Sequence, residues 1–77
     1  MERFGEKLRT LRNRRGWSIR RLGKELGVYY SFVTRMETGE KTPNAAMLIK
    51  IAKIFEVSLD TLMLDDLELD VGEDEEE

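Results

Sequence analysis

The sequence contains neither cysteine nor histidine. The first absence excludes disulfides and thiol chemistry. The second removes the usual zinc ligands and imidazole-based acid–base catalysis, so neither a metal site nor a cofactor is expected. No apolar run reaches the roughly 18–20 residues of a membrane span, and the start M-E-R-F-G-E-K lacks the apolar segment of a secretory signal. A cytoplasmic location with no membrane partner is the expectation. No base-activated nucleophile is visible, so an enzyme is not expected. Asp65-Asp66 and the terminal acids could hold Mg²⁺ loosely, but an exposed carboxylate run is ordinarily solvated.

What is present fits one small domain. The chain has 77 residues, 40% hydrophobic and 38% charged, a composition that suits a compact helical protein. A core of this size is marginal, and oligomerisation is a common remedy. The net charge of −3 conceals an asymmetry. All 13 Lys and Arg lie between Arg3 and Lys53, giving residues 1–64 a net charge of +6. Residues 65–77 carry nine acids and no base. The expected division is a basic domain over 1–64 and an acidic C-terminal tail over 65–77, at least partly disordered.

Helical signals run through the basic part. Phe4, Leu8 and Leu11 follow an i, i+4, i+7 pattern with Glu6, Lys7, Arg9 and Thr10 as the polar positions between them, predicting helix 1 over Glu2 to Arg15 and a stop at Gly16. Ser18 is a fitting N-cap for helix 2, whose apolar positions are Ile19, Leu22 and Leu26 and whose end is Gly27. Helix 3 is predicted from Tyr30 to Thr38, stopped by Gly39. Helix 4 follows the Asn44 cap and runs to Phe55, and helix 5 follows the Ser58 cap from Leu59 to Leu64. The segment Leu67 to Val71 alternates apolar and acidic residues and reads as a short strand, an extended arm or a helix end. Helix 4 is apolar nearly all round. Either a crowded monomer core covers it or a second subunit does; the reading preferred is a dimer surface including Met47 and Ile54.

The stretch L-G-K-E-L-G-V, Leu22 to Val28, locates a device. Two short helices joined by a glycine turn make a helix-turn-helix, here about 18–38. Gly23 gives the small contact position where the helices cross, and Gly27 gives the residue that tolerates positive φ. Leu22, Leu26, Val28, Val33 and Met36 occupy the supporting apolar positions.

At these residues the chain resembles the Cro/CI-type (XRE-like) helix-turn-helix domains of phage repressors and many bacterial regulators. The matching text is F-G-E-K-L-R-T-L-R from Phe4, G-W-S-I-R-R-L-G-K-E-L-G-V from Gly16, and S-F-V-T-R-M-E-T-G from Ser31. T-P-N from Thr42 and L-I-K-I-A-K-I-F-E-V-S-L-D-T-L from Leu48 complete it. The resemblance implies an all-α, compact five-helix lambda-repressor-like DNA-binding domain in a prokaryotic or phage, nucleoid-associated setting. It further implies that helix 3 enters the major groove, usually as half of a homodimer on a two-fold double-stranded DNA operator.

Carried over by position, Tyr30, Ser31, Thr34 and Arg35 are base-contact candidates, with side-chain chemistry that suits base edges and thymine methyls. Ser18, Arg20 and Arg21, with Lys41 and Arg12, are phosphate-contact candidates. Arg12 and Glu37 occupy positions that pair across helices 1 and 3. The chain departs from the family where a frequent Gln is replaced by Ile19, whose lost contact Arg20 could assume, and where Glu56 stands in place of a frequent helix-ending glycine. Of the aromatics, Trp17 is expected at the core or its rim and Phe32 in packing between helix 3 and its neighbours. Tyr29 is undecided. The leading function is a sequence-specific DNA-binding transcriptional regulator, a dimeric repressor. The alternative is an interaction module of the same fold, for example an antitoxin, whose acidic tail binds a basic protein partner or autoinhibits DNA binding.

Overall fold

Backbone amides and carbonyls at helix ends lack partners within the helix, and the side chains that replace them decide where each helix starts and stops. The computed structural model describes residues 1–69. It holds α1 (Phe4–Arg14), α2 (Ile19–Leu26), α3 (Tyr30–Thr38), α4 (Ala45–Phe55) and α5 (Leu59–Met63), with no strand among the described residues. The Ser18 hydroxyl accepts from the Arg21 amide at 3.0 Å, the Asn44 carbonyl oxygen from Met47 at 2.8 Å, and the Ser58 hydroxyl from Thr61 at 3.0 Å. These caps start α2, α4 and α5 where their residue types predict. Gly27 and Gly39 end α2 and α3 in the left-handed conformation, at φ of 77° and 89°. Glu56 ends α4 in the same conformation, at φ 57°, despite carrying a side chain. Both α1 and α5 are slightly shorter than predicted.

The five helices surround one core. Phe4, Leu8 and Leu11 enter from α1, Leu22 and Leu26 from α2, and Val33 and Met36 from α3. Leu48, Ile51 and Phe55 enter from α4, and Leu62 from α5. Burying side chains of this kind contributes about 1.5–3 kcal/mol each. Met47 and Ile54 are half-buried and pack against this core, as do Trp17, Phe32 and Val28. The face of α4 read as a dimer surface is thus partly covered within the monomer. Trp17 packs on Phe55, ring centroids 5.6 Å apart.

Two features lie beyond a local reading. Lys7, one of the polar positions of α1, is only 1% exposed. Its ammonium donates to the Thr61 carbonyl at 2.6 Å and the Leu64 carbonyl at 2.8 Å. It thereby satisfies the end of α5, where a cation is also favoured by the helix dipole. The same device recurs. Lys50 Nζ donates to the Leu26 carbonyl at the end of α2 (3.1 Å), and Arg15 Nη2 to the Ile54 carbonyl near the end of α4 (2.7 Å).

The second concerns the tail. Residues 65–69 join the body. The Asp65 carboxylate accepts from the backbone amides of Glu2 and Arg3, both at 2.9 Å, and so caps the start of α1, which has no side-chain cap of its own. Arg3 reaches back to grip Glu68 through both terminal nitrogens at 2.9 Å, and one of them also donates to the Asp65 carbonyl. The two amides hold the Asp65 carboxyl below its usual pKa range, and the Arg3 bonds do the same to Glu68. Leu69 packs on the core. Leu67 to Leu69 are neither helix nor strand. The rest of the predicted segment, Asp70-Val71, lies outside the described residues, as do the five acids that follow it in the tail and the tail's expected disorder.

Candidate nucleic-acid interface

The geometry of α3 follows from how closely it lies on two other helices. A side chain added at Gly23 would meet the Val28 carbonyl oxygen at 2.8 Å and the Tyr30 backbone at 3.2 Å. Gly23 therefore allows the first residue of α3 to rest on α2. A second close approach, at Gly5, escaped sequence reading. A Cβ there would collide with the backbone carbonyls of Met36 and Glu37, so Gly5 sets the spacing of α1 and α3. Its signal was available: a glycine inside a helix, the same feature that singled out Gly23.

Orientation of α3 is fixed by charge as well. The Glu37 side chain is 1% exposed and that of Arg12 11%. Arg12 Nε and Nη2 donate to the two Glu37 oxygens at 2.7 and 3.2 Å, and Arg9 Nε adds a bond at 3.2 Å. Arg12 Nη1 donates to the Trp17 carbonyl at 2.9 Å. One guanidinium thus ties α1, the α1–α2 turn and α3 together. Internal partners take three of the five guanidinium N–H groups of Arg12.

Val33, Met36 and Glu37 point inward, while Tyr30, Ser31, Thr34 and Arg35 are all exposed on α3. The Thr34 hydroxyl donates to the Tyr30 carbonyl at 3.3 Å. Arg35 stands 3.9 Å from Glu40. Tyr29, immediately before α3, is 84% exposed. At the start of α2, Ser18 is exposed and caps the helix. Arg20 is exposed, and its guanidinium lies over the Tyr30 ring, 4.1 Å from the centroid. Arg21 is engaged by Glu25 at 2.8 Å and lies 4.7 Å from the Trp17 ring. Lys41 is exposed beyond α3, and its side chain forms no ion pair or hydrogen bond among the described residues. The structure thus gathers the base-contact candidates with Arg20 and sets Arg12 apart inside the helix junction.

Among the described residues no group of three or more acidic, His or Cys side chains is placed to hold a metal ion. No helix among them is long and apolar enough to cross a membrane.

Residues 8–62 match the family model described as Helix-turn-helix (HTH_3). The chain is 38% identical over 56 residues to the HTH-type transcriptional regulator SutR of Escherichia coli strain K12, covering 73% of this chain and 32% of that protein. It is 34% identical over 64 residues to the HTH-type transcriptional repressor RghR of Bacillus subtilis strain 168, covering 82% and 47%. The chain therefore spans about a third to a half of the length of the curated relatives it matches. Among solved structures, it superposes on the P22 c2 repressor in complex with a synthetic operator with a TM-score of 0.76 at 30% identity, covering 82% of this chain and 96% of that one. The N-terminal DNA-binding domain of SinR from Bacillus subtilis gives a TM-score of 0.76 at 25% identity, covering 88% and 100%.

Proposed function

The chain belongs to the helix-turn-helix family, and from that premise we propose that it is a sequence-specific double-stranded DNA-binding transcriptional regulator acting as a repressor. The observation that carries this reading is the division of α3. Its inward residues are locked to α1 and the core, and its outward ones, Ser31, Thr34 and Arg35, present a hydroxyl-rich and cationic edge beside Tyr30, whose ring lies under Arg20. Such side chains read base edges in the major groove. Arg20, Ser18 and Lys41 flank them as phosphate contacts, the part of the interface that makes affinity depend on salt. Arg12 acts through Glu37 by holding α3 at its angle.

The repressor reads a two-fold operator as a homodimer. The apolar side chains available to a second copy are the exposed Ile49 on α4 and Leu59, Met63 and Leu64 at α5, more than the half-buried Met47 and Ile54. The similarity to a repressor domain bound to its operator supports the DNA reading.

Arg35→Ala tests it. Binding to the preferred duplex is expected to weaken by about 10-fold or more, the scale of about 1–3 kcal/mol for one base contact, while binding to unrelated duplex changes little. An equal fall for both duplexes would remove Arg35 from base reading. The alternative, an interaction module governed by its acidic tail, rests on the nine acids of residues 65–77, of which Asp65 also holds the start of α1. Chains ending at residue 69 that still fail to bind duplex DNA would favour it.

A further inference from the structure

Arg20 differs from the other arginines around the α2–α3 junction. Arg21 is paired with Glu25, and Arg12 is spent on Glu37 and the Trp17 carbonyl. Among the described residues Arg20 has no carboxylate partner; its contact is the face of Tyr30, 4.1 Å from guanidinium carbon to ring centroid. That distance is cation–π contact with the ring face. A guanidinium that rests on an aromatic face can keep N–H donors open to an acceptor. The two residues come from different helices, the first turn of α2 and the first position of α3. They meet because Gly23 lets the Tyr30 backbone approach α2 so closely.

We propose that Tyr30 is a positioning residue for Arg20. Its ring holds the guanidinium fork ready for a DNA phosphate at the edge of the groove that α3 enters. The proposal rests on the DNA-binding reading and deepens it: phosphate anchoring by α2 and base reading by α3 share one rigid joint. The partner is the phosphodiester backbone, because Arg20 stands in the first turn of α2, where the backbone amides and the positive end of the helix also favour an anion. Without the ring, Arg20 would be a flexible exposed side chain that loses rotamer freedom on binding; with it, part of that ordering is complete before DNA arrives.

A double-mutant cycle tests the joint, using the full chain and the duplex selected by the wild type, with affinity measured across a salt series. Arg20→Ala is expected to weaken binding about 10-fold and lower the salt slope by about one. Tyr30→Leu is expected to weaken it about 5-fold, and the double variant no more than Arg20→Ala alone. Tyr30→Phe, which keeps the ring, is expected to stay within about 2-fold of wild type. Losses that multiply in the double variant would overturn the proposal, as would Tyr30→Phe behaving like Tyr30→Leu. A companion measurement needs no DNA: the Arg20 side-chain protons are expected to shift upfield in NMR spectra of the free protein, and to lose that shift in Tyr30→Leu. Absence of the shift would overturn the joint itself. A wild type that binds no duplex would overturn the DNA reading and the phosphate role together, while leaving an observed stack in place. Wild-type binding with an additive cycle would overturn the proposal alone.

Discussion

Arg12→Ala removes three hydrogen bonds at once: 2.7 and 3.2 Å to Glu37 and 2.9 Å to the Trp17 carbonyl. It leaves a carboxylate that is 1% exposed with Arg9 as its remaining cation, on a side chain more than half exposed. Breaking a buried pair on one side typically costs about 3–5 kcal/mol. Because Arg9 stays, the lower end applies, about 3 kcal/mol. A domain of this length has a total stability of about 4–12 kcal/mol, so the loss is a large share. At about 4–8 °C per kcal/mol, the melting temperature is expected to fall by roughly 12–24 °C. Urea unfolding followed by circular dichroism measures the same quantity independently. The informative comparison is Arg12→Met combined with Glu37→Leu. Replacing both charges with apolar groups removes the orphaned carboxylate, and the pair is expected to recover at least about 2 kcal/mol of the single loss. A cost below about 1 kcal/mol for Arg12→Ala, or a double variant no more stable than the single, would refute the reasoning.

The glycines give a ranking. Alanine gains about 1 kcal/mol of helix propensity, set against overpacking that costs about 1–3 kcal/mol. Gly5→Ala meets carbonyls of Met36 and Glu37 and is expected to lose the most stability. Gly23→Ala is expected to lose less. Gly16→Ala has open space and pays about 1 kcal/mol for its φ of 69°. Melting curves of the three variants check the order, and a Gly5→Ala protein as stable as wild type would contradict it. The Asp65 and Glu68 clasp predicts an acid dependence. Both carboxyls are held below their usual pKa, so their stabilisation is fully present above the ordinary carboxylate range and is lost as pH falls through the lowered values. The urea midpoints of wild type and Asp65→Ala are expected to differ at pH 7 and converge toward pH 2. A constant gap would remove the Asp65 cap as the cause.

Much of this was legible because helix ends are governed by local chemistry. Ser18, Asn44 and Ser58 cap within three residues of themselves, and Gly27 and Gly39 act through their own backbone angles, so reading neighbours in sequence sufficed. What local reading missed was contact between distant residues. Lys7 lies three residues after Phe4 and four before Leu11, inside the apolar stripe of α1, but its charge gave no sign of burial; only the open carbonyls of α5 explain it. Asp65 read as the first acid of a tail because its acceptors, the amides of Glu2 and Arg3, lie at the other end of the chain. The net charge of +6 over residues 1–64 likewise suggested a broadly basic surface. In the structure Lys7, Arg15 and Lys50 serve helix ends, Arg12 a buried acid and Arg3 the tail carboxylate of Glu68, while Arg20, Arg35 and Lys41 are among the cations left exposed around α3.

Selection of bound sequences from a random duplex pool by the full chain tests the central claim most directly. The account predicts enrichment of a two-fold motif with half-sites one helical turn apart, about 34 Å. It also predicts that Arg35→Ala relaxes the preference at a single position of each half-site. A folded chain that enriches no sequence above the starting pool, at low salt and at physiological salt alike, would contradict it.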